Sequence, residues 1–390
     1  TRAAARGGTT TVIPFAAQAK GQSLRAAVED YHRRADGKAH VDYGFHMIVS
    51  DPTPEVLEKE LPQLIREGYT SFKIYMTYDD LKLNDGQILD VLDVARKYDA
   101  TAMIHAENAD CIQWLTKRLE ASGRTAPRYH AVSRPMLVER EATHRAIALS
   151  ELADVPILIV HVSGREAVEQ IRWARSHGMN IIAETCPQYL FLSAEDLGID
   201  DSYQGAKCVC SPPPRDQANQ EVIWNGLNDG LFTVFSSDHA PFNYDSPEGK
   251  KPNGEEVSFG HIPNGIPGIE TRLSLLYTHG VLTGRMTLNR FVELTSTNPA
   301  KVYGLHPRKG SIAIGADADL VVWQEGERAI SNRDLHHNVD YTPYEGQQLK
   351  AWPCLTLSAG QVVWDGEQFH ARAGSGRFLQ RGAPTLLPKR

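Results

Sequence analysis

The sequence has few cysteines and no long apolar run, and both shortages exclude classes of protein. Its five cysteines are scattered and odd in number, which predicts reduced, buried thiols in a cytoplasmic protein rather than a disulfide framework. No apolar stretch approaches the roughly 20 residues that span a bilayer, and the first fifteen residues lack the regions of a signal peptide. No basic run accompanies the net charge of −7, so neither nucleic acid nor a membrane is an expected partner.

Short apolar runs alternate with longer amphipathic segments, a pattern that predicts βα units around a parallel sheet. The predicted strands are 9–15, 43–49, 71–76, 101–106, 156–163, 180–186 and 233–240. The clearest helical patterns between them are 54–67, 85–97, 139–152 and 165–177. Asp51 or Thr53 is expected to cap the first of these helices, and Ser163 the last. The α/β pattern predicts a (β/α)8 TIM-type barrel whose first strand is missing.

The pattern changes after Pro299, where segments 310–323 and 355–369 alternate like half-buried antiparallel strands with glycine turns. We expect a barrel over residues 1–305 and a small β-sandwich domain over residues 306–370. The tail 371–390 is rich in glycine, proline and basic residues, so it is expected to be extended or disordered.

Four predicted strands carry an ionisable residue at or near the carboxyl end: Lys73, His105, His161 and Asp238. Taken singly, a histidine at a strand end is more often structural, a lysine usually extends its amine to solvent, and Asp238 could cap a helix. Together they fall on the barrel face where catalytic groups gather. Burying such groups without partners costs several kcal/mol each, and a divalent metal would compensate them.

A lysine among these groups has a specific chemical use. Burial is expected to lower the pKa of Lys73, and a neutral amine can add carbon dioxide to form a carbamate. The resulting carboxylate can bridge two metal ions that share a hydroxide nucleophile.

The motifs resemble those of the dihydropyrimidinase/D-hydantoinase branch of the amidohydrolase superfamily. They occur in the family's order over residues 1–369: SFKIYMTY, MIHAEN, VHVSG, CSPPPR, SSDHAPF, IPNGIPGIETR and HNVDYTPYEG. The resemblance implies an enzyme that opens cyclic amides, namely dihydropyrimidines and hydantoins, to N-carbamoyl amino acids. It also implies two Zn2+ ions per subunit and a homotetramer.

The resemblance also implies roles for particular residues. Lys73 would be the carboxylated lysine between the zinc ions, His105 and His161 would ligate the more buried zinc, and Asp238 would ligate the other and act as general base and acid. Tyr78 would hydrogen-bond the developing oxyanion. The backbone groups of Ser211 and Asn264 would hold the cyclic amide, although Ser-Pro-Pro and Asn-Gly sequences are also typical of plain turns.

The sequence departs from the family pattern in its metal ligands. The family carries a His-x-His pair at the end of its first barrel strand, but none of the fifteen histidines forms one. We therefore expect a chain truncated at its N-terminus, with impaired activity in the form given.

Two other functions remain open. An allantoinase or dihydroorotase would share the barrel and much of the metal set, although CSPPPR, IPNGIPG and Tyr78 favour hydantoin and dihydropyrimidine rings. A non-catalytic, oligomerising scaffold of the same family would have no use for Lys73, His105, His161 and Asp238.

Overall fold

The computed structural model describes residues 1–386, and its centre is a parallel sheet of seven strands. In all, residues 1–386 form twelve strands in three sheets: β1 Thr11–Val12, β2 Phe15–Ala17, β3 Asp42–Tyr43, β4 His46–Ile48, β5 Ser71–Tyr75, β6 Thr101–His105, β7 Ile157–Ile159, β8 Ile181–Thr185, β9 Val234–Phe235, β10 Leu320–Ala329, β11 Gln348–Ser358 and β12 Gln361–Trp364. The parallel sheet has the order β2-β4-β5-β6-β7-β8-β9. It curls as in a TIM-type barrel, confirming the predicted fold class, and β2 and β9 are its edges.

Helices follow most strands and cover the outer face of the sheet. They are α1 Arg2–Arg6, α2 Leu24–Ala35, α3 Leu61–Arg66, α4 Asp85–Tyr98, α5 Ala109–Ala121, α6 Tyr129–Ser133, α7 Met136–Ala153, α8 Arg165–Ser176, α9 Gln188–Phe191, α10 Gln217–Asn228, α11 Arg272–Leu276, α12 Leu288–Val292 and α13 Asn298–Val302. Segments of π-helix span Val56–Glu60, Tyr277–Val281 and Glu293–Thr297. Short 3-10 helices span Ala194–Leu197, Tyr203–Cys208, Pro252–Gly254, Phe259–His261 and Asn332–Asp334.

Two predicted helix caps have different outcomes. The Thr53 hydroxyl accepts a hydrogen bond from the amide of Val56 at 3.3 Å, as predicted. The prediction for Ser163 was wrong, because its hydroxyl donates to the Glu139 carboxylate at 2.5 Å instead of capping α8. The N-terminus of α8 is instead capped by Asn219 of α10, whose side-chain oxygen accepts a hydrogen bond from the amide of Arg165 at 2.8 Å.

The interior between the two sheet edges is filled by residues from other parts of the chain. Val302 and Tyr303, at the end of α13, join an apolar cluster with inward residues of β6 to β9, and Phe15 of β2 packs against that cluster. Arg272 links the edge strand β9 to the N-terminal segment before β1, since it donates to the carbonyl oxygen of Phe235 at 2.6 Å and to the hydroxyl of Thr9 at 3.2 Å.

The C-terminal region forms an antiparallel sheet in the order β10-β11-β12. The first of these strands begins at Leu320 rather than near residue 310, so the segment before it is not a strand. Residues 371–386 lie against the barrel: the amide of Leu379 donates to the Tyr43 carbonyl at 2.7 Å, and that of Gly382 donates to the Gly304 carbonyl at 2.9 Å. This part of the tail is therefore extended and packed, and the last residues of segment 371–390 lie outside the described range.

The cysteines are all free thiols within the described structure, in agreement with the predicted absence of disulfides. Burial holds for Cys186, Cys208 and Cys210, but Cys111 is exposed and Cys354 is only half-buried, so the prediction was wrong for these two. Among residues 1–386, no helix is both long and apolar enough to cross a bilayer.

Candidate active site

Lys73 points into the barrel because side chains alternate between the two faces of a strand. Its neighbours Phe72 and Ile74 belong to the cluster that packs the sheet against the helices, so Lys73 and Tyr75 face the interior. The Lys73 amine lies 4.6 Å from the centroid of the Phe15 ring and 4.7 Å from that of Tyr75. The side chain is buried, which leaves its amine in contact with aromatic rings and site residues rather than solvent.

The pKa of Lys73 differs from the sequence expectation. Burial by itself lowers this pKa, but the nearby Tyr75, Asp238 and Glu184 side chains raise it, and the net shift is upward. The predicted fall was wrong because the Tyr75 hydroxyl and, after it, the Asp238 and Glu184 carboxylates share the interior with the amine.

The two predicted histidine ligands are neighbours. His105 is the last residue of β6, His161 follows β7, and their ring centroids are 4.4 Å apart. Burial lowers the pKa of both imidazoles, and the Lys73 charge lowers both further. His161 Nδ1 is buried without a hydrogen-bond partner on any other described residue. Two neutral imidazoles side by side are suitable ligands for zinc.

Asp238 follows β9 and faces the same interior. The Gln188 amide donates to its carboxylate at 3.1 Å. Burial raises the pKa of Asp238 to about 6, against the lowering effects of Lys73 and Gln188. The structure thus brings Asp238 near Lys73, which in turn acts electrostatically on His105 and His161.

Backbone strain marks three residues of this region. Tyr78 has φ 67°, His161 has φ 38° and Asp238 has φ 43°. Positive φ is uncommon for residues other than glycine and costs on the order of 1–3 kcal/mol. These residues hold their side chains at the barrel mouth in a conformation that the surrounding contacts must enforce.

The three residues predicted to contact substrate also meet at this mouth. The Asn264 amide donates to the Tyr78 hydroxyl at 3.4 Å, and Ser211 is hydrogen-bonded to Tyr78. The Ser211 hydroxyl also lies 3.4 Å from His130 Nε2. Asn264 Oδ1 is buried and has no partner within residues 1–386. A carbonyl oxygen of this kind, left without a donor, can accept a hydrogen bond from an amide N–H of a ligand.

The chain was compared with known proteins. The sequence profile of the amidohydrolase family matches residues 1–363. The D-hydantoinase of Geobacillus stearothermophilus is 46% identical over 98% of this chain and 80% of its own length. That of Rhizobium radiobacter is 44% identical over 98% and 82%. The chain belongs to the amidohydrolase family.

A solved amidohydrolase structure supports the same assignment. Dihydropyrimidinase from Brevibacillus agri NCHU1002 superposes with a TM-score of 0.94 at 44% identity, covering 98% of this chain and 82% of that one. Hydrolysis is therefore the class of reaction that the comparisons support, and the family generally binds metal ions.

The residues of this amidohydrolase fit one metal ion better than two. His105 and His161 are adjacent, one ring nitrogen is without a partner, and Lys73 could add an oxygen ligand once carboxylated. Only Asp238 and the same lysine remain for a second ion. In the described part of the chain, no three or more His, Cys, Asp or Glu side chains are grouped closely enough to hold a metal.

Sequence reasoning missed several side chains of the amidohydrolase site. Glu107 Oε2 lies 2.7 Å from His105 Nε2 and 3.5 Å from the Arg134 guanidinium. Glu184 lies inside the barrel, where the Tyr303 hydroxyl donates to it at 3.2 Å. Burial raises the pKa of Glu184 to about 7. The signal for Glu184 was available, because it is an acidic residue within an apolar strand, as Lys73 is a basic one.

Proposed function

We propose that this amidohydrolase opens the ring amide of dihydropyrimidines and hydantoins to give N-carbamoyl amino acids. The observation that supports this most strongly is the meeting, at one barrel mouth, of Lys73, His105, His161 and Asp238 with the predicted substrate contacts. The names of the two relatives from Rhizobium radiobacter and Geobacillus stearothermophilus agree with this proposal, since both proteins are D-hydantoinases.

Zinc is the proposed metal, with Lys73 carboxylated. His105 and His161 would hold one ion together with the lysine carboxylate, and Asp238 would share the second with that carboxylate. When bound, zinc would polarise the ring carbonyl and lower the pKa of a coordinated water.

The side chains around the metals would orient the ring and move its protons. Burial raises the pKa of Tyr78, so its hydroxyl keeps a proton at neutral pH and can donate to the oxygen that becomes negative. The backbone groups of Ser211 and Asn264 would hold the amide. Asp238 would accept a proton from the attacking water and deliver it to the departing ring nitrogen.

A substrate panel tests this proposal. We expect purified, zinc-supplemented protein to hydrolyse dihydrouracil and hydantoin faster than allantoin or dihydroorotate. A preference for either of the last two compounds would assign the chain to the corresponding related activity. Absence of both bound zinc and turnover would favour the scaffold function.

The ligand count sets the expected level of activity for residues 1–390 alone. Three ligands can hold one zinc, whereas two oxygen donors make a weak second site. We therefore propose about one zinc per chain and slow turnover. A fusion that adds a strand ending in His-x-His, placed beside β2, should raise both; this is called the His-x-His fusion below. Two zincs per chain and rapid turnover without the fusion would contradict the proposal.

The resemblance also supports a homotetramer in the cytoplasm. Light scattering coupled to size-exclusion chromatography would measure the oligomeric state. A monomer at micromolar concentration would refute the proposed tetramer.

A further inference from the structure

Lys250 is a fully buried lysine that has no carboxylate partner among residues 1–386. Its side chain is 0% exposed, and its amine donates to two backbone carbonyls, that of Val209 at 2.8 Å and that of Pro263 at 2.6 Å. Burying a cation costs free energy unless its donors are satisfied, so a structural or functional reason for this lysine is required.

The two carbonyl groups belong to the segments that carry the proposed substrate contacts. Val209 lies two residues before Ser211, and Pro263 directly precedes Asn264. A second link joins the same segments, because the amide of Gly265 donates to the Val209 carbonyl at 3.1 Å. The Lys250 amine thus connects two loops that are more than fifty residues apart in sequence.

The local backbone is shaped to bring Lys250 inward. A Cβ atom at Gly249 would lie 2.0 Å from the carbonyl oxygen of Asn243, so only glycine allows this close approach. The amide of Lys250 donates to that same carbonyl at 2.8 Å, and its own carbonyl accepts from the Tyr203 hydroxyl at 2.6 Å. The segment is therefore fixed at both backbone groups of the lysine.

We propose that Lys250 is a positioning residue that sets the spacing between the Ser211 and Asn264 segments, and thereby the affinity for the cyclic amide. This rests on the proposed function of those two segments. Burial lowers the pKa of Lys250 to about 7, but a neutral amine still has two N–H groups, enough for both carbonyls.

Lys250→Met tests this proposal, since methionine is of similar length and cannot donate. The matched control is Lys251→Met, next in the chain, whose amine pairs with Asp245 at 3.0 Å near the surface. Hydrogen exchange of the 390-residue chain is the first measurement, because it requires no turnover. In Lys250→Met we expect faster exchange confined to peptides covering 205–215 and 259–268, with the control unchanged.

The second measurement separates positioning from general stability. We expect the Kd for hydantoin, or the KM where turnover is measurable, to rise roughly tenfold in Lys250→Met, the effect of losing one or two hydrogen bonds. The kcat should change little. If the unmodified protein binds no cyclic amide, the proposed function fails while hydrogen exchange still decides the role of Lys250. Unchanged exchange in both peptides, or faster exchange throughout the molecule, would overturn the proposal.

Discussion

The two ends of the barrel differ in how many of their buried polar groups have hydrogen-bond partners. At the lower face, where the strands begin, the charged side chains Asp42 and Arg381 are paired, although the Thr70 hydroxyl there has no partner within the described residues. Asp42 accepts from the Arg377 side chain at 3.2 Å and pairs with Lys309 at 2.9 Å. Arg381 donates to the Ser71 hydroxyl at 2.7 Å and to the Phe45 carbonyl at 2.6 Å, although its Nε atom has no partner.

The upper mouth, where the strands end, contains several polar atoms that lack partners within the described residues. They are His161 Nδ1, Glu107 Oε1, Gln188 Oε1 and Asn264 Oδ1. The strained residues Tyr78, His161 and Asp238 lie there too. In barrels of this type, one face serves stability and the other function. The comparison indicates that strained backbone and unpaired polar atoms at the upper mouth lower the stability of the fold. The same polar atoms are free to bind a ligand.

The largest effect should follow from removing the lysine at the upper mouth. In the His-x-His fusion, Lys73→Ala should abolish zinc binding and turnover, because the bridging carboxylate is lost. Metal analysis and hydantoin hydrolysis measure this, and acetate should partly restore activity. The exposed Lys59→Ala serves as control. Normal zinc content and turnover in Lys73→Ala would refute the carbamate hypothesis.

Asp238→Asn should act on turnover rather than binding. The amide is nearly the same size but cannot accept the proton, so kcat in the fusion should fall by about 10²–10⁴-fold with KM little changed. Steady-state kinetics measure the two constants, and the exposed Asp90→Asn is the control. Near-normal kcat would mean that another group moves the proton.

A change at the lower face should act on stability and leave the metal site intact. Arg381→Met removes a buried cation together with its two hydrogen bonds, and this should lower the free energy of unfolding by about 2–4 kcal/mol. Urea denaturation measures it, with the exposed Arg372→Met as control. Loss of zinc from Arg381→Met without loss of stability would contradict the proposed division between the two faces.

The smallest effect concerns pH. Burial alone would raise the pKa of Asp42, but hydrogen bonds from Arg377 and Lys309 outweigh it, and the pKa is lowered. A lowered folded pKa gives stability that is present above the unfolded value of about 3.9 and is lost as pH falls through the folded value. Asp42→Asn should therefore show a shallower loss of stability below about pH 4. Equal acid sensitivity in both proteins would exclude this contribution.

Sequence patterns predicted the barrel because its strands are apolar runs with distinct periodicity. They also indicated Lys73 and His105, since a charged or polar residue inside such a run is conspicuous. Ser163 was misassigned because its partner, Glu139, is distant in sequence, and the packing of residues 371–386 depends on contacts with Tyr43 and Gly304. Long-range pairings of this kind leave no local signal.

The most direct test of the proposed metal site is diffraction from zinc-loaded crystals at the zinc absorption edge. We predict an anomalous peak about 2.0–2.1 Å from a ring nitrogen of His105 and of His161, and density for a carboxyl group on the Lys73 amine. A peak elsewhere, or an unmodified Lys73 beside imidazoles that bind no metal, would contradict the assignment of this mouth as the active site.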